Sequence, residues 1–227
     1  MRGRLIKDYY HGLNILALLY FSPATLFHKI NALPWYLDTL RAWADSLGYH
    51  AGDAILDVGC ATGRHTQHLA RQGAVAYGAD KSPEMLQKAN LSNTDGARFV
   101  LANALNLPFE NNCFEYVVAA SLINIIPEPA MAMRELARVC KPEGKVSVLV
   151  PHAGVLDEQV AHLVKYLNLS GFSRAALTAW HRLAPKMRRE KLLEYFGSAG
   201  FHNTHSETHL GGMVMTVTGT RCINGLG

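Results

Sequence analysis

Cysteine is scarce in this chain of 227 residues: Cys60, Cys113, Cys140 and Cys222 are the complete set, and no two form a Cys-x-x-Cys pair. That pattern argues against a disulfide framework and suits reduced thiols in the cytoplasm. Charge is scarce as well. Charged residues make up 18% of the chain, and 22 Lys and Arg against 18 Asp and Glu leave a net charge of +4. With no zinc-finger or RNP-type signature beside it, an excess this small points away from nucleic acid as a partner. Long apolar runs are missing too. The run from Leu13 to Phe27 is interrupted by Asn14 and Pro23, and it is too short to cross a bilayer of about 30 Å as one helix. It follows Arg2, Arg4 and Lys7 as in a signal peptide, but no A-x-A-like cleavage site follows it. The segment therefore reads as a retained, partly buried helix with no stable membrane span. Repeats and low-complexity tracts are absent from the sequence.

What remains is a chain that is 49% apolar, enough for one sizeable α/β core with an elaboration. Residues 1–50 read as helical, and Trp35, Leu37, Leu40, Trp43 and Leu47 recur at near-helical spacing, so one face packs on the core. From residue 51 short apolar runs alternate with helical stretches. Strands are expected over 54–58, 75–79, 97–101, 116–120 and 145–150. Helices are expected to Gln72, from Ser82-Pro83 to Asn90 (Ser as N-cap, Pro in the first turn), and from Pro129 to Val139. This alternation implies right-handed βαβ units and a parallel sheet covered on both faces. A helical stretch over 155–180 interrupts the rhythm before a helix over 187–199. Strands over 205–210 and 213–220 flank Gly211-Gly212, a hairpin signal that makes one terminal strand antiparallel.

The sharpest motif is Leu56-Asp57-Val58-Gly59-Cys60-Ala61-Thr62-Gly63. In an open α/β sheet, ligands bind beyond the carboxyl ends of the strands. Glycines there allow close backbone approach, and the following helix offers free N–H groups to an anion. A P-loop requires four residues between the glycines and then Lys; here three intervene and no Lys follows. A dinucleotide turn requires glycine at the positions held by Ala61 and Arg64. Asp57, at the end of the strand, favours a ligand that carries positive charge. Asp80 ends the second strand, where a carboxylate accepts from both ribose hydroxyls; a surface acid in a strand–helix loop is the plain alternative.

Five stretches in order resemble the class I S-adenosylmethionine (SAM)-dependent methyltransferases, especially the ubiquinone/menaquinone biosynthesis group. They are Leu56–Gly63, Gly78-Ala-Asp-Lys-Ser-Pro-Glu-Met-Leu86, Ala102-Asn-Ala104 with Leu107-Pro-Phe109, Phe114-Glu115, and Arg134-Glu-Leu-Ala-Arg-Val-Cys-Lys-Pro142. The resemblance implies a Rossmann-like, seven-stranded, mostly parallel sheet with one antiparallel terminal strand and helices on both faces. A helical lid would comprise residues 1–50 and an insertion at about 155–183, with residues 51–227 as the SAM-binding domain. It also implies that Asp57, Gly59 and Gly63 hold the methionine end of SAM, with Cys60 a small side chain in the same turn. Asp80 would bind the ribose, Lys81, Ser82 and Met85 would lie against the adenine, Asn103 and Ala104 would meet its edge, and Ala120 and Ser121 would line the floor near the sulfonium.

The chain departs from the family at several points. Asn103 stands where Asp is usual, and its carbonyl still accepts from the adenine amino group without charge assistance. Asn124-Ile125 replaces a frequent His-His, Glu143 replaces a glycine, and Ala61 replaces the middle glycine of the first motif. Candidate contacts for a small-molecule acceptor, with a hydrophobic character hinted by the lid, are Tyr9, Tyr10, His11, Asn124 and His152. No catalytic residue is assigned, because an activated sulfonium needs positioning more than acid–base help. His65 and His68 share a helix face, but solvated or capping histidines are the expected reading and no metal is assigned. The basic run Arg182, Lys186, Arg188, Arg189 and Lys191 reads as a solvated face. A non-catalytic SAM-binding protein of the same fold and a nicotinamide-dependent oxidoreductase remain the alternatives.

Overall fold

A strand covered on both faces has no polar side to show, so its sequence runs apolar rather than alternating. β1 (Ala54–Val58) is such a strand: Ile55, Leu56 and Val58 are all essentially buried. The pleat sends Leu56 and Val58 into one core and Ile55 into the other. The computed structural model describes residues 2–223, with side chains described from His11 onward except those of Leu19, Pro23, Ala24 and Phe27.

Around β1 stand β2 (Val75–Asp80), β3 (Arg98–Leu101), β4 (Phe114–Ala120), β5 (Cys140–Pro151), β6 (Phe201–His209) and β7 (Val214–Arg221), in the order β3-β2-β1-β4-β5-β7-β6. Strands β1 to β5 pair in parallel, whereas β7 runs antiparallel to both β5 and β6. The expected seven-stranded sheet with an antiparallel final strand is therefore present. The order reverses between β1 and β4, which opens a crevice at their carboxyl ends.

The helices are α1 (Arg2–Phe21), α2 (Pro23–Asn31), α3 (Pro34–Ser46), α4 (Arg64–Arg71), α5 (Pro83–Leu91), α6 (Pro129–Val139), α7 (Asp157–Tyr166), α8 (Gly171–Leu183) and α9 (Arg189–Ser198). Leu136 of α6 and Leu192 and Phe196 of α9 fill the core on one face of the sheet. Leu69 of α4 and Leu40 and Trp43 of α3 fill the other. Trp43 is fully buried, and its Nε1 donates to Ser147 Oγ at 2.8 Å on β5. So α3 covers the sheet itself. A third apolar cluster joins Ile15, Leu26, Ile30 and Trp35 to Val160, Leu163, Ala176 and Leu177, locking the N-terminal helices onto α7 and α8. Among the described residues no helix is long and apolar enough to cross a membrane.

Two strands begin earlier than their apolar runs. β5 starts at Cys140, which pairs with Phe114 ahead of a register shift between Phe114 and Tyr116; the polar Lys141 to Gly144 stretch concealed it. β6 starts at Phe201 and carries a second shift between His202 and His205, where Asn203 takes a left-handed φ of 48°. A bulge breaks the period-2 pattern from which strands are read.

Candidate functional site

The turn after β1 is built by backbone. The N–H groups of Gly59 and Cys60 both donate to Ala79 O, at 2.7 and 3.1 Å, tying the turn to the end of β2. Asp80 completes the tie: Oδ2 accepts from Ala61 N and Oδ1 from Ser82 N, both at 2.9 Å. Each oxygen keeps a second lone pair for a ligand hydroxyl. Ser82 caps α5 by accepting from Met85 N at 3.3 Å, with Pro83 in the first turn, as expected.

These elements enclose a cleft of about 730 Å³ at the carboxyl ends of β1, β2 and β4, within the range of about 300–1,000 Å³ typical of ligand pockets. Of the residues named for the cofactor, Asp57, Gly59, Cys60, Asp80, Lys81, Ser82, Met85, Asn103, Ala104, Ala120 and Ser121 line it together. Gly63 does not. It is the left-handed N-cap of α4 (φ 72°), and a Cβ there would lie 2.4 Å from Phe99 Cζ. Its missing side chain makes room for Phe99 under the turn.

Of the acceptor candidates, none with a described side chain reaches the cleft. His11 lies in a separate groove with Asn14, His28, Lys29 and Phe172. Asn124 Nδ2 donates to Pro185 O at 3.0 Å, and the His152 ring meets Gly212 O at 3.3 Å. Tyr9 and Tyr10 fall in α1, where their side chains are outside the described residues.

The sequence reading passed over several cleft residues. Tyr36 and Leu40 come from α3, Asn31 from the end of α2, and Leu122, Ile125, Ile126 and Pro127 from the loop after β4. Tyr36 and Leu40 stand four apart on one helix face; the sequence analysis reads Leu40 only as packing and does not name Tyr36. His65 corrects an expectation outright. It is not solvated but 4% exposed, stacked on Trp43 with ring centroids 4.9 Å apart and 12° between planes.

The inner end of the cleft is polar and charged. Asp57 is 1% exposed, and its Oδ2 accepts from Thr66 Oγ1 at 2.7 Å. Burial, and then the charge of Asp57, holds the Tyr36 phenol protonated far above its ordinary range. Burial, with Asp57 and Asp80 adding to it, pushes the Cys60 thiol well above its ordinary value, so this thiol is no nucleophile. Thr62 Oγ1, both His65 nitrogens and Ser121 Oγ are buried without a hydrogen-bond partner in or beside this cleft. Buried polar atoms are normally satisfied, so these fit a polar ligand that completes them.

A sequence model of the methyltransferase domain family matches residues 56–148, the stretch that builds this cleft. Over residues 56–148 the chain is therefore similar to the methyltransferase domain family. A demethylmenaquinone methyltransferase of Clavibacter sepedonicus is 35% identical over 126 residues, covering 55% of this chain and half of that relative's length. Another, from Shouchella clausii, is 27% identical over 201 residues, covering 79% of this chain and 81% of its own. A solved SAM-dependent methyltransferase from Thermotoga maritima, described as a possible histamine N-methyltransferase, superposes with a TM-score of 0.66 at 16% identity, covering 90% of this chain and 97% of that one. At that identity the likeness is one of fold. In that stretch the acidic end of β1, the β2 carboxylate and the unpaired polar atoms are groups that the ammonium, ribose and carboxylate of SAM would complete.

Proposed function

We propose that the protein transfers the methyl group of SAM to a small apolar acceptor, a hydroxylated ring such as a quinol being the class that fits best. The observation that carries this reading is the division of the cleft. The cleft is lined by the polar Asp57, His65 and Asp80 and also by the apolar Leu40, Leu122, Ile125, Ile126 and Pro127 with the ring of Tyr36. Apolar lining of this kind excludes water and orients a ring. The names of the curated relatives support a quinone-related acceptor.

Bound SAM would supply an activated methyl group on a good leaving group. What the chain would then contribute is position: Asp80 would hold the ribose, Met85 and Leu105 would lie beside the base, and Ala120 and Ser121 would line the floor at the switch point. Helices α1 to α3 with α7 and α8 would act as the cover over the acceptor, since Asn31, Tyr36 and Leu40 project from that assembly into the cleft. Water exclusion strengthens the polar contacts beneath. The free thiols of Cys60, Cys113, Cys140 and Cys222 suit a reducing cytoplasm.

The test is methyl transfer from labelled SAM to a panel of hydroxylated naphthalenes and benzenes, set against amines, peptides and RNA. Labelled product confined to the ring compounds supports the proposal. Product on the amines, peptides or RNA instead would refute it.

A further inference from the structure

Helix α1 has two apolar faces, and the fold covers one of them. On the inner face Ile15 is 2% exposed and joins the cluster that locks α1 onto α7 and α8. On the outer face Leu13, Leu16 and Tyr20 stand at i, i+3 and i+7, exposed by 48%, 52% and 82%, and the adjoining Phe21 is exposed by 81%. Ala17 is exposed between them. The rings of Tyr20 and Phe21 meet edge to face with centroids 4.8 Å apart, forming one apolar end to the stripe. From Gly12 to Phe21 the helix carries no charged residue. Single exposed apolar side chains are ordinary on a protein surface, but a contiguous stripe marks a face that something covers.

The charges of the same helix select what covers it. Arg2, Arg4 and Lys7 stand against the single acid Asp8, and all four precede the stripe. Helix α2, packed beside α1, adds the exposed Lys29 and no acid. Cations at one end, an uncharged stripe and aromatic rings at the other lay a helix flat on an anionic lipid surface. The apolar face enters the headgroup boundary while the cations meet the headgroups. A bilayer covers a convex helix face without a matching groove. Among the described residues no helix is long and apolar enough to cross it, so the contact is lateral. We propose that the outer face of α1 docks the protein on an anionic lipid surface through Leu13, Leu16, Tyr20 and Phe21. Docking there brings the cleft to the phase in which an acceptor of the proposed apolar class dissolves. That consequence rests on the proposed function, whereas the docking itself does not.

The experiment is co-sedimentation of the full chain with vesicles, with no nucleoside or acceptor present. One set of vesicles mixes phosphatidylglycerol and phosphatidylcholine in equal parts, and the other is phosphatidylcholine alone. The wild type partitions onto the anionic vesicles at least about 10-fold more strongly, and salt at about 0.5 M removes most of the difference. Leu16→Gln and Tyr20→Gln together weaken partitioning by about 100-fold. The melting temperature of that double variant stays within about 2–4 °C of wild type, because both side chains are exposed. Leu91→Gln, which removes an exposed apolar side chain from the end of α5, changes partitioning by less than about twofold. Equal binding to both vesicle types, no binding to either, or an equal loss in Leu91→Gln would overturn the proposal. So would a wild-type dimer in light scattering that the double variant dissolves, since a second copy would then cover the stripe. Vesicle docking by a protein that transfers no methyl group to ring compounds would uphold the surface and refute the proposed acceptor.

Discussion

Adding one methyl group at Gly63 tests the construction of the turn independently of its ligand. A Cβ on Gly63 would meet Phe99 Cζ at 2.4 Å, Phe99 Cε1 at 2.6 Å and Ala89 Cβ at 3.0 Å. The ring cannot retreat toward β2, because Gly78 lies under it so closely that a Cβ there would meet Phe99 Cδ1 at 2.7 Å. Two costs combine in Gly63→Ala. The left-handed φ of 72° costs an L-residue about 1–2 kcal/mol, and overpacking costs about 1–3 kcal/mol, giving about 2–5 kcal/mol in total. For a chain of this size each kcal/mol lowers Tm by about 2–4 °C, so a drop of about 4–20 °C is expected. Circular dichroism melts measure it. Phe99→Leu in the same chain should recover much of the loss, and the double-mutant cycle should give a coupling above about 0.5 kcal/mol. The affinity of the folded Gly63→Ala protein for S-adenosylhomocysteine should stay within about threefold of wild type, since Gly63 does not line the cleft. Gly59 differs: a Cβ there has room at 3.4 Å from Leu122 but enters the cleft, so Gly59→Val should abolish binding. An unchanged melt for Gly63→Ala, or no coupling to Phe99, would refute the reasoning.

Asp80→Ala should weaken S-adenosylhomocysteine binding by about 10- to 100-fold, and it should also lower stability by about 1–3 kcal/mol by releasing the amides of Ala61 and Ser82. Titration and denaturant unfolding measure the two effects, and unchanged affinity would make Asp80 a purely structural staple. Ala61 sits at a left-handed φ of 49°; Ala61→Gly should therefore stabilise by up to about 1 kcal/mol, and a loss of melting temperature would contradict this. Burial holds His68 and His209 below their ordinary value of 6.5. The unfolded chain then takes up protons more readily than the folded one, so stability is complete above about pH 6.5 and falls as the pH drops below it. Melts from pH 8 to pH 5 should show that decline, and a flat or rising Tm would count against it. Removing residues 1–30 strips Ile15, Leu26 and Ile30 from the cluster with α7 and α8, so methyl transfer should fall far more than nucleoside binding; equal losses would show that the segment supports the whole fold.

The cofactor half of the site was legible because its residues are contiguous and tied to sheet ends. Asp57 stands one residue from the end of β1, Asp80 closes β2, and the glycine turn and Ser82-Pro83 each open a helix. Gly63 stands outside the cleft lining because its place is fixed by Phe99, a residue 36 positions away in sequence. The acceptor half was poorly legible. Asn124 and His152 follow strands β4 and β5, yet Asn124 Nδ2 turns to Pro185 and the His152 ring to Gly212. The wall is instead apolar and comes from α3, where Tyr36 and Leu40 show the same periodicity as any packing residue. His65 was misread because helical position alone does not reveal that an N-terminal helix folds across the face it presents.

The assignment of the cleft to SAM is tested most directly by titrating S-adenosylhomocysteine into the wild-type protein, with NADH titrated into the same preparation as the control. Saturable heat at a single site with S-adenosylhomocysteine and none with NADH is the predicted result. No heat with the sulfur nucleoside, or saturable binding of NADH that it cannot displace, would contradict the assignment of the cleft to SAM.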